Sequence, residues 1–393
     1  MAATLAAAPA VGAPSAPQVV ASYADLAHTD YAASLDGARA LQAAVDDFLV
    51  NPTPAKMAAA REAWKRARVP YALTEAFRFG NPVVDEWEPR VNSWPLDEGL
   101  IDYVAAAYGK SSDDNPLYTL NVIANPKIRV GAKMIDATRI DVKLLDQLNG
   151  AEGVKTNVAT GYHAIEFLLW GQDLHGTGPG AGERPASDYD TKHCTHGNCA
   201  RRRAYLKAAT DLLVSDLAEM TADWAPGGRA RADLGAKGDG ALTAMLVGIG
   251  SLSYGELAGE RMKLGLILHD PEEEQDCFSD NTHNEHYGDE LGMIAVWHLM
   301  RDYAVAKNPA TAKRMDDAMA VALAKLKTIK MTADSGRMAY DQMIGQGNIA
   351  GNAMVQDGID ALVAQTRATE GVMAALGLKS QLQGSENFEN PGK

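Results

Sequence analysis

A histidine and a glutamate three residues apart form the first pair in this sequence that could bind a metal ion. They are His163 and Glu166, in the segment GYHAIE at residues 161–166. On a helix, residues three apart lie on one face about one turn from each other, so both side chains could reach one ion. An imidazole nitrogen together with a carboxylate oxygen suits zinc or iron. The spacing alone also fits a partly buried histidine hydrogen-bonded to a neighbour on its helix, which is the commoner arrangement.

The same segment lacks the layout of a zinc peptidase of the zincin type. That motif, His-Glu-x-x-His, needs two histidines one turn apart and a glutamate beside the first as general base. Here Ala164 and Phe167 stand where the glutamate and the second histidine would be. The sequence therefore offers no zincin mechanism at this position.

Two further groups of residues could bind a cation. The first lies at residues 280–290, where the pattern favours an exposed loop, and it comprises Asp280, His283, Glu285, His286, Asp289 and Glu290. The second consists of acids beside other charged residues, namely Glu75 with Arg78, Asp97 with Glu98 and Asp102, and Glu260 with Arg261. Each of these acids could also form an ordinary salt bridge. Glu260 follows Gly255 and Gly259, where another backbone or a ligand could approach a helix closely.

The segment HCTHGNC at residues 193–199 admits two interpretations. Two cysteines and two histidines packed this tightly could hardly surround one tetrahedral zinc ion. We therefore favour a disulfide between Cys194 and Cys199, formed in an oxidising compartment. Cys277 is then left over, and we expect it to be a buried thiol.

The elements that must position these residues are predicted to be helices. Hydrophobic residues make up 46% of the chain and aromatic residues only 6%, and alanine is abundant, which favours helices packed through small side chains. Helical patterns extend over residues 131–149, 160–170, 199–224, 242–268, 288–307, 310–328 and 351–376. No segment shows a clear strand pattern. The sequence predicts an all-α protein of two antiparallel four-helix-bundle-like domains.

We divide the 393 residues into five parts. Residues 1–19 are predicted to be a signal-peptide remnant or a flexible linker, and residues 20–175 an N-terminal bundle half that contains the His163 helix. Residues 176–198 are predicted to be a surface excursion. A C-terminal bundle half at residues 199–377 precedes a disordered tail at residues 378–393.

Charge and hydropathy limit the partners of the chain. The net charge is −14, so a nucleic acid, whose phosphates would be repelled, is excluded. The longest uncharged internal run, residues 240–255, is too short to span a bilayer, so we predict no transmembrane span. The first 24 residues carry no charge and favour export, and the sequence is compatible with a lipid anchor.

Several blocks resemble the imelysin family of insulin-cleaving, iron-regulated proteins. The blocks are AWKRARVPYALTEAFRFGN at 63–81, WPLDEGLIDY at 94–103, GYHAIE at 161–166, RRRAYL at 201–206, GERM at 259–262 and CFSDNT at 277–282. GYHAIE matches the family signature Gly-x-His-x-x-Glu in full, and the resemblance covers about residues 20–377. One departure is Gln275-Asp276 before Cys277, where close relatives are expected to carry His-Ser.

The resemblance implies an exported protein of the periplasm or outer cell envelope that acts in iron acquisition. Our leading hypothesis is that the cofactor or cargo is a metal ion, iron in the first place and zinc as the alternative, bound by His163 and Glu166. Candidates for the other ligands are Glu75, Asp97 and Glu260, and candidates for residues that orient them are Arg78 and Arg261.

Two rival hypotheses belong to other functional classes. One is a metal-dependent peptidase, which would need an open coordination position, an activated water and a general base. The other is an envelope interaction protein without catalysis, in which residues 81–97 and 171–198 would bind an iron-uptake component.

Overall fold

The fold is built almost entirely from helices, as the sequence predicts. A computed structural model describes residues 12–379 and residue 382. The α-helices are α1 Ala16–Val50, α2 Pro54–Ala72, α3 Pro82–Asp85, α4 Val142–Leu148, α5 Gly161–Trp170, α6 Cys199–Trp224, α7 Arg229–Ala236, α8 Gly240–Gly250, α9 Leu264–Leu268, α10 Thr282–Lys307, α11 Pro309–Asp334, α12 Tyr340–Ile344 and α13 Ile349–Ala375. A π-helix, Ser251–Lys263, joins α8 to α9. Short 3-10 helices lie at Leu73–Phe77, Glu88–Arg90, Glu98–Leu100, Ala106–Tyr108, Ala151–Gly153, Ala186–Tyr189 and Pro271–Glu273.

Helix α1 begins within the segment predicted to be a linker. It starts at Ala16, where Gln18 accepts a hydrogen bond from the backbone N–H of Ser15 and closes the first turn. Residues 1–11 of the predicted linker lie outside the described residues. Along its length α1 packs against α2 and α6 and buries an apolar stripe that includes Leu41, Val45 and Phe48.

The helix predicted over residues 131–149 is wrong for its first part. Residues Lys127–Val130 and Lys133–Asp136 instead form an antiparallel hairpin, β1 and β2, in which Lys127 is paired with Asp136. Gly131 has a φ of +55° and turns the chain between the two strands, a conformation that helix periodicity does not reveal. The helix begins only at α4, where Asp141 accepts a hydrogen bond from the N–H of Leu144 at 3.2 Å.

The 3-10 helix Leu73–Phe77, which we call the wedge turn, lies between α8 and α10 and contacts both. Two glycines make room for it. A Cβ on Gly248 of α8 would lie 2.4 Å from the carbonyl oxygen of Ala76, and one on Gly292 of α10 would lie 2.5 Å from that of Leu73. The wedge turn thus inserts an early part of the chain between two later helices.

The long helix from α8 to α9 passes one test for a membrane span. Its range, Gly240–Leu268, is long and apolar enough by length and composition, which differs from the prediction made on residues 240–255. However, 83% of its most apolar window is buried inside the structure, as in the core helix of a folded domain.

The predicted surface excursion at residues 176–198 is only partly a surface feature. Residues 191–198 are exposed, but Arg184 and Asp188 are buried and hydrogen-bonded to each other at 3.3 Å. Of the predicted tail at residues 378–393, the structure describes residues 378, 379 and 382.

Candidate metal centre

Helix α5 carries the His-x-x-Glu pair and is buried along its whole length. It starts at Gly161, whose φ of +81° favours glycine, and a Cβ there would lie 2.4 Å from the carbonyl oxygen of Val91. The next residue, Tyr162, donates its backbone N–H to the same oxygen at 2.8 Å. The glycine of the motif therefore allows α5 to begin against the backbone of Val91, and this contact fixes where His163 points.

Three side chains that can bind a metal converge at α5. The Nδ1 atom of His163 lies 3.0 Å from Oε2 of Glu166 and 3.5 Å from Oδ1 of Asp276. All three residues are buried, and each offers a ligand atom within 4.8 Å of the other two. We call these three residues the triad.

In each carboxylate of the triad, one oxygen accepts a hydrogen bond and the other faces His163. Oε1 of Glu166 accepts a hydrogen bond from the backbone N–H of Ser279 at 3.0 Å. Oδ2 of Asp276 accepts one from the Asn281 side chain at 2.9 Å. Both donors lie in the loop at residues 274–281, which precedes α10. Such outer contacts orient ligands before a metal binds.

The distances within the triad suit a shared metal ion. Zinc and iron ligands lie about 2.0–2.2 Å from the metal, so neighbouring ligand atoms lie roughly 3.0–3.5 Å apart at right or tetrahedral angles. Oδ1 of Asp276, which faces Nδ1 of His163, is buried and has no hydrogen-bond partner among the described residues. The residues therefore fit a metal, which would pair an oxygen atom that is otherwise costly to bury. Nε2 of His163, on the opposite edge of the ring, also lacks a partner among the described residues.

Burial sets the protonation of the triad. It lowers the pKa of His163 well below its ordinary value, and the positive charges of Arg68 and Arg261 lower it further. Burial raises the pKa of Glu166 well above its ordinary value, and the nearby Asp276 carboxyl adds to this. A neutral imidazole with a free lone pair is the form that binds metals.

Arg68 lies beside the Asp276 carboxylate of the triad. Its Nη2 lies 2.7 Å from Oε2 of Glu285 and 3.9 Å from Oδ1 of Asp276. Its guanidinium also lies over the ring of Tyr162, with 4.8 Å to the ring centre. Arg68 is therefore fixed in place and balances part of the negative charge.

The structure does not bring the other predicted ligands to the triad. Glu75 is buried and paired with Arg261 at 2.6 Å, and Arg261 also binds Asp289 at 2.9 Å. Arg78 pairs with Asp85 and Glu256.

The two remaining candidates are also elsewhere. Asp97 accepts hydrogen bonds from the side chains of Asn115 and Thr156 at 2.5 and 2.6 Å, which tie it into a separate polar network. Glu260 is exposed on the π-helix. The glycines that precede it, Gly255 and Gly259, therefore do not bring Glu260 to the triad.

The prediction of an exposed loop at residues 280–290 is wrong. Helix α10 begins at Thr282, and it buries His283, Glu285 and His286 because this part of the helix packs into the polar interior. His286 lies edge-on to Tyr340, and both of its ring nitrogens lack a hydrogen-bond partner among the described residues.

Asp276 is the candidate ligand that helix spacing could not find, since it is far from α5 in sequence. In the sequence, the one feature that draws attention to Asp276 is the departure from the family pattern at Gln275-Asp276. Nearby, Cys277 is a free, partly buried cysteine, whereas Cys194 and Cys199 are joined by a disulfide.

The chain is similar to known proteins along most of its length. Residues 27–369 match the sequence model of the imelysin family. Over 85 residues the chain is 31% identical to iron-regulated protein A of Synechococcus elongatus, a match that covers 22% of this chain and 24% of that protein. The chain thus spans about a quarter of the length of this curated relative.

Two crystal structures share the fold. One, an iron-regulated protein A precursor from Parabacteroides distasonis, has a TM-score of 0.66 and 17% identity, over 93% of this chain and 96% of that one. The other, an imelysin-like protein from Psychrobacter arcticum, has a TM-score of 0.63 and 16% identity, over 95% of this chain and 100% of that one. Together with the match over residues 27–369, this means that the chain belongs to the imelysin family.

Proposed function

We propose that this protein binds iron at the triad of His163, Glu166 and Asp276 and serves iron acquisition after export. The observation that carries the proposal is the convergence of three buried ligand atoms, two of them on carboxylates whose outer oxygens are already held. An imidazole with two carboxylates is a ligand set that suits iron. The ligand set differs from the predicted one, because Asp276 takes the place given to Glu75, Asp97 and Glu260.

Two further observations support an iron-related role outside the cytosol. Relatives of this chain are named iron-regulated protein A, and one of them is named a precursor. The disulfide between Cys194 and Cys199 is typical of an oxidising compartment. The net charge of −14 would favour the approach of cations.

Peptide hydrolysis is the weaker hypothesis for the same site. A peptidase must bring a scissile bond and a water molecule to its metal. The side chains of His163, Glu166 and Asp276 are each at most 1% exposed, so a polypeptide does not reach them in this conformation.

Iron binding is tested by titrating the chelator-treated protein with Fe²⁺ under anaerobic conditions and measuring the heat of binding. We expect one Fe²⁺ per chain, and affinity reduced at least about tenfold in His163→Ala and in Asp276→Asn, since both remove a ligand. His298→Ala is the matched control because His298 is an exposed helical histidine. Equal iron affinity in His163→Ala and in the control would contradict the proposal.

A further inference from the structure

Three aspartates from distant parts of the chain meet on the other side of the loop at residues 274–281. Asp173 follows α5, Asp280 lies in this loop, and Asp341 lies in α12. Each offers a carboxylate oxygen within 4.8 Å of those of the other two. Like charges at this spacing repel each other strongly away from bulk water, so the arrangement calls for a compensating charge.

Asp341 shows that this is more than a patch of surface acids. Its side chain is only 1% exposed. Neither of its carboxyl oxygens accepts a well-formed hydrogen bond from the described residues. Buried charged groups in proteins are normally paired or bind a metal ion. A buried carboxylate without a well-formed hydrogen bond, with an oxygen within 4.8 Å of two other carboxylates, is what a cation ligand looks like before its cation binds.

Glu274 adds a fourth acid to the group. It is fully buried, its carboxyl oxygens also lack well-formed hydrogen bonds among the described residues, and it is repelled by both Asp341 and Asp280. Within the described part of the chain, no lysine, arginine or histidine nitrogen lies within 4.0 Å of any of these four carboxylates. Lys65 and His175 act on Asp280 only from a longer range. No cationic side chain of the described residues therefore pairs directly with the group.

We propose that Asp173, Asp280 and Asp341, with Glu274 behind them, form a second cation site that takes a hard divalent cation through oxygen atoms alone. Carboxylate oxygens without nitrogen or sulfur ligands suit Ca²⁺, Mg²⁺ or Mn²⁺. Asp173 accepts the backbone N–H of His175 on Oδ1 at 2.9 Å, which orients its other oxygen for the cation. The triad, by contrast, contains an imidazole.

The second site shares a loop with the triad but none of its ligands. Asp276 serves the triad and Asp280 the second site, and the N–H of Ser279 between them is bound to Glu166. A variant can therefore remove the ligands of one site and leave those of the other in place. The proposal does not depend on iron binding at the triad.

The experiment uses the full chain with His163→Ala and Glu166→Gln, so that the triad cannot contribute. After treatment with a chelator, the protein is titrated with Mn²⁺, and free Mn²⁺ is followed by its electron paramagnetic resonance signal. We expect one bound Mn²⁺ per chain, which Ca²⁺ displaces. Adding Asp280→Asn, or Asp341→Asn, should weaken Mn²⁺ binding at least about tenfold. Adding Asp113→Asn and Asp114→Asn is the matched control, since these aspartates are exposed.

Thermal unfolding with and without Mn²⁺ gives a second readout. Mn²⁺ should raise the midpoint in the parent and in the control but not in the Asp280 or Asp341 variants, because ligands of the native state stabilise it. Asp280 is partly exposed, so Asp280→Asn decides the question if Asp341→Asn does not fold. The proposal is overturned if the parent binds no stoichiometric Mn²⁺, or if Asp280→Asn binds Mn²⁺ as tightly as the control does.

Discussion

At the scale of single residues, the triad combines one fixed cation with an excess of buried acids. Arg68 is shared between Glu285 and Asp276, while Glu166 accepts the backbone N–H of Ser279 and faces the ring of His163. Buried charges cost free energy unless they are paired. The site therefore offsets its negative charge either by taking up protons or by taking up a metal ion, and the two compete.

This competition makes metal binding depend on pH. Burial raises the pKa of Glu166, so its carboxyl holds a proton at pH values where an exposed glutamate has lost it. Burial lowers the pKa of His163, so the imidazole itself takes up no proton near neutral pH. A metal that binds must displace the proton of the carboxyl. We expect metal affinity to rise with pH above the range in which an exposed glutamate titrates, with protons released on binding.

Proton release is measured by calorimetric titration at pH 7 in two buffers with different enthalpies of ionisation. The wild-type protein should release protons into the buffer, and Glu166→Gln should release fewer because its amide does not titrate. Glu260→Gln is the control, since Glu260 is an exposed acid away from the triad. Heats of binding that are the same in both buffers for the wild type would contradict this prediction.

At the scale of elements, the start of α5 positions the triad. Gly161→Ala should destabilise the protein because alanine at φ +81° is strained and its Cβ would meet the carbonyl of Val91. The left-handed backbone alone costs about 1–2 kcal/mol, and the contact adds to it. Chemical denaturation followed by circular dichroism measures the loss in the free energy of unfolding.

Gly150→Ala is the matched control for that variant. Gly150 also has a positive φ, +65°, but a Cβ there would have no atom within 4 Å. The control should therefore lose only the backbone contribution, and its iron affinity should be unchanged. In Gly161→Ala iron affinity should fall as well, since His163 follows two residues later. Equal destabilisation of the two variants would show that the contact with Val91 does not contribute to the loss in the free energy of unfolding.

The wedge turn connects elements that are remote in sequence. Gly248→Ala would place a Cβ 2.4 Å from the carbonyl oxygen of Ala76, so we expect a loss of stability of about 1–3 kcal/mol from overpacking. Gly371→Ala in α13 is the control, because its Cβ would meet only Cγ2 of Thr311 at an ordinary 3.7 Å. Alanine exceeds glycine in helix propensity by about 1 kcal/mol, so the control should be neutral or more stable. Melting temperatures of the two variants measure the difference.

At the scale of the whole molecule, helices whose pattern lies within one continuous segment agree with the sequence prediction. The ranges predicted for α5, α6 and α13 agree with the structure to within two residues, because they follow from neighbours that the sequence displays directly. The hairpin β1–β2 was missed because it is short and its turn depends on one glycine. Local patterns therefore identified the all-α class but not each element.

Contacts between distant segments could not be read in the same way. The pair His163 and Glu166 was found because both lie on one helix turn. Asp276 was missed because it joins them only when the loop before α10 folds back onto α5. Glu75 and Arg261 were selected as a ligand and an orienting residue, and the structure pairs them with each other instead. Charge and spacing identify candidate groups, but tertiary packing decides their partners.

The wedge turn also has a consequence for how the chain is made. The turn leaves the ribosome early, whereas Gly248 and Gly292, between which it must lie, are added much later. At about 5–20 residues per second, the wedge turn waits roughly 10–40 s for α8 and α10. During that time α1, which is made earlier, can cover only the part of Phe77 that faces Tyr23 and Tyr31. A chaperone would protect the chain through this interval.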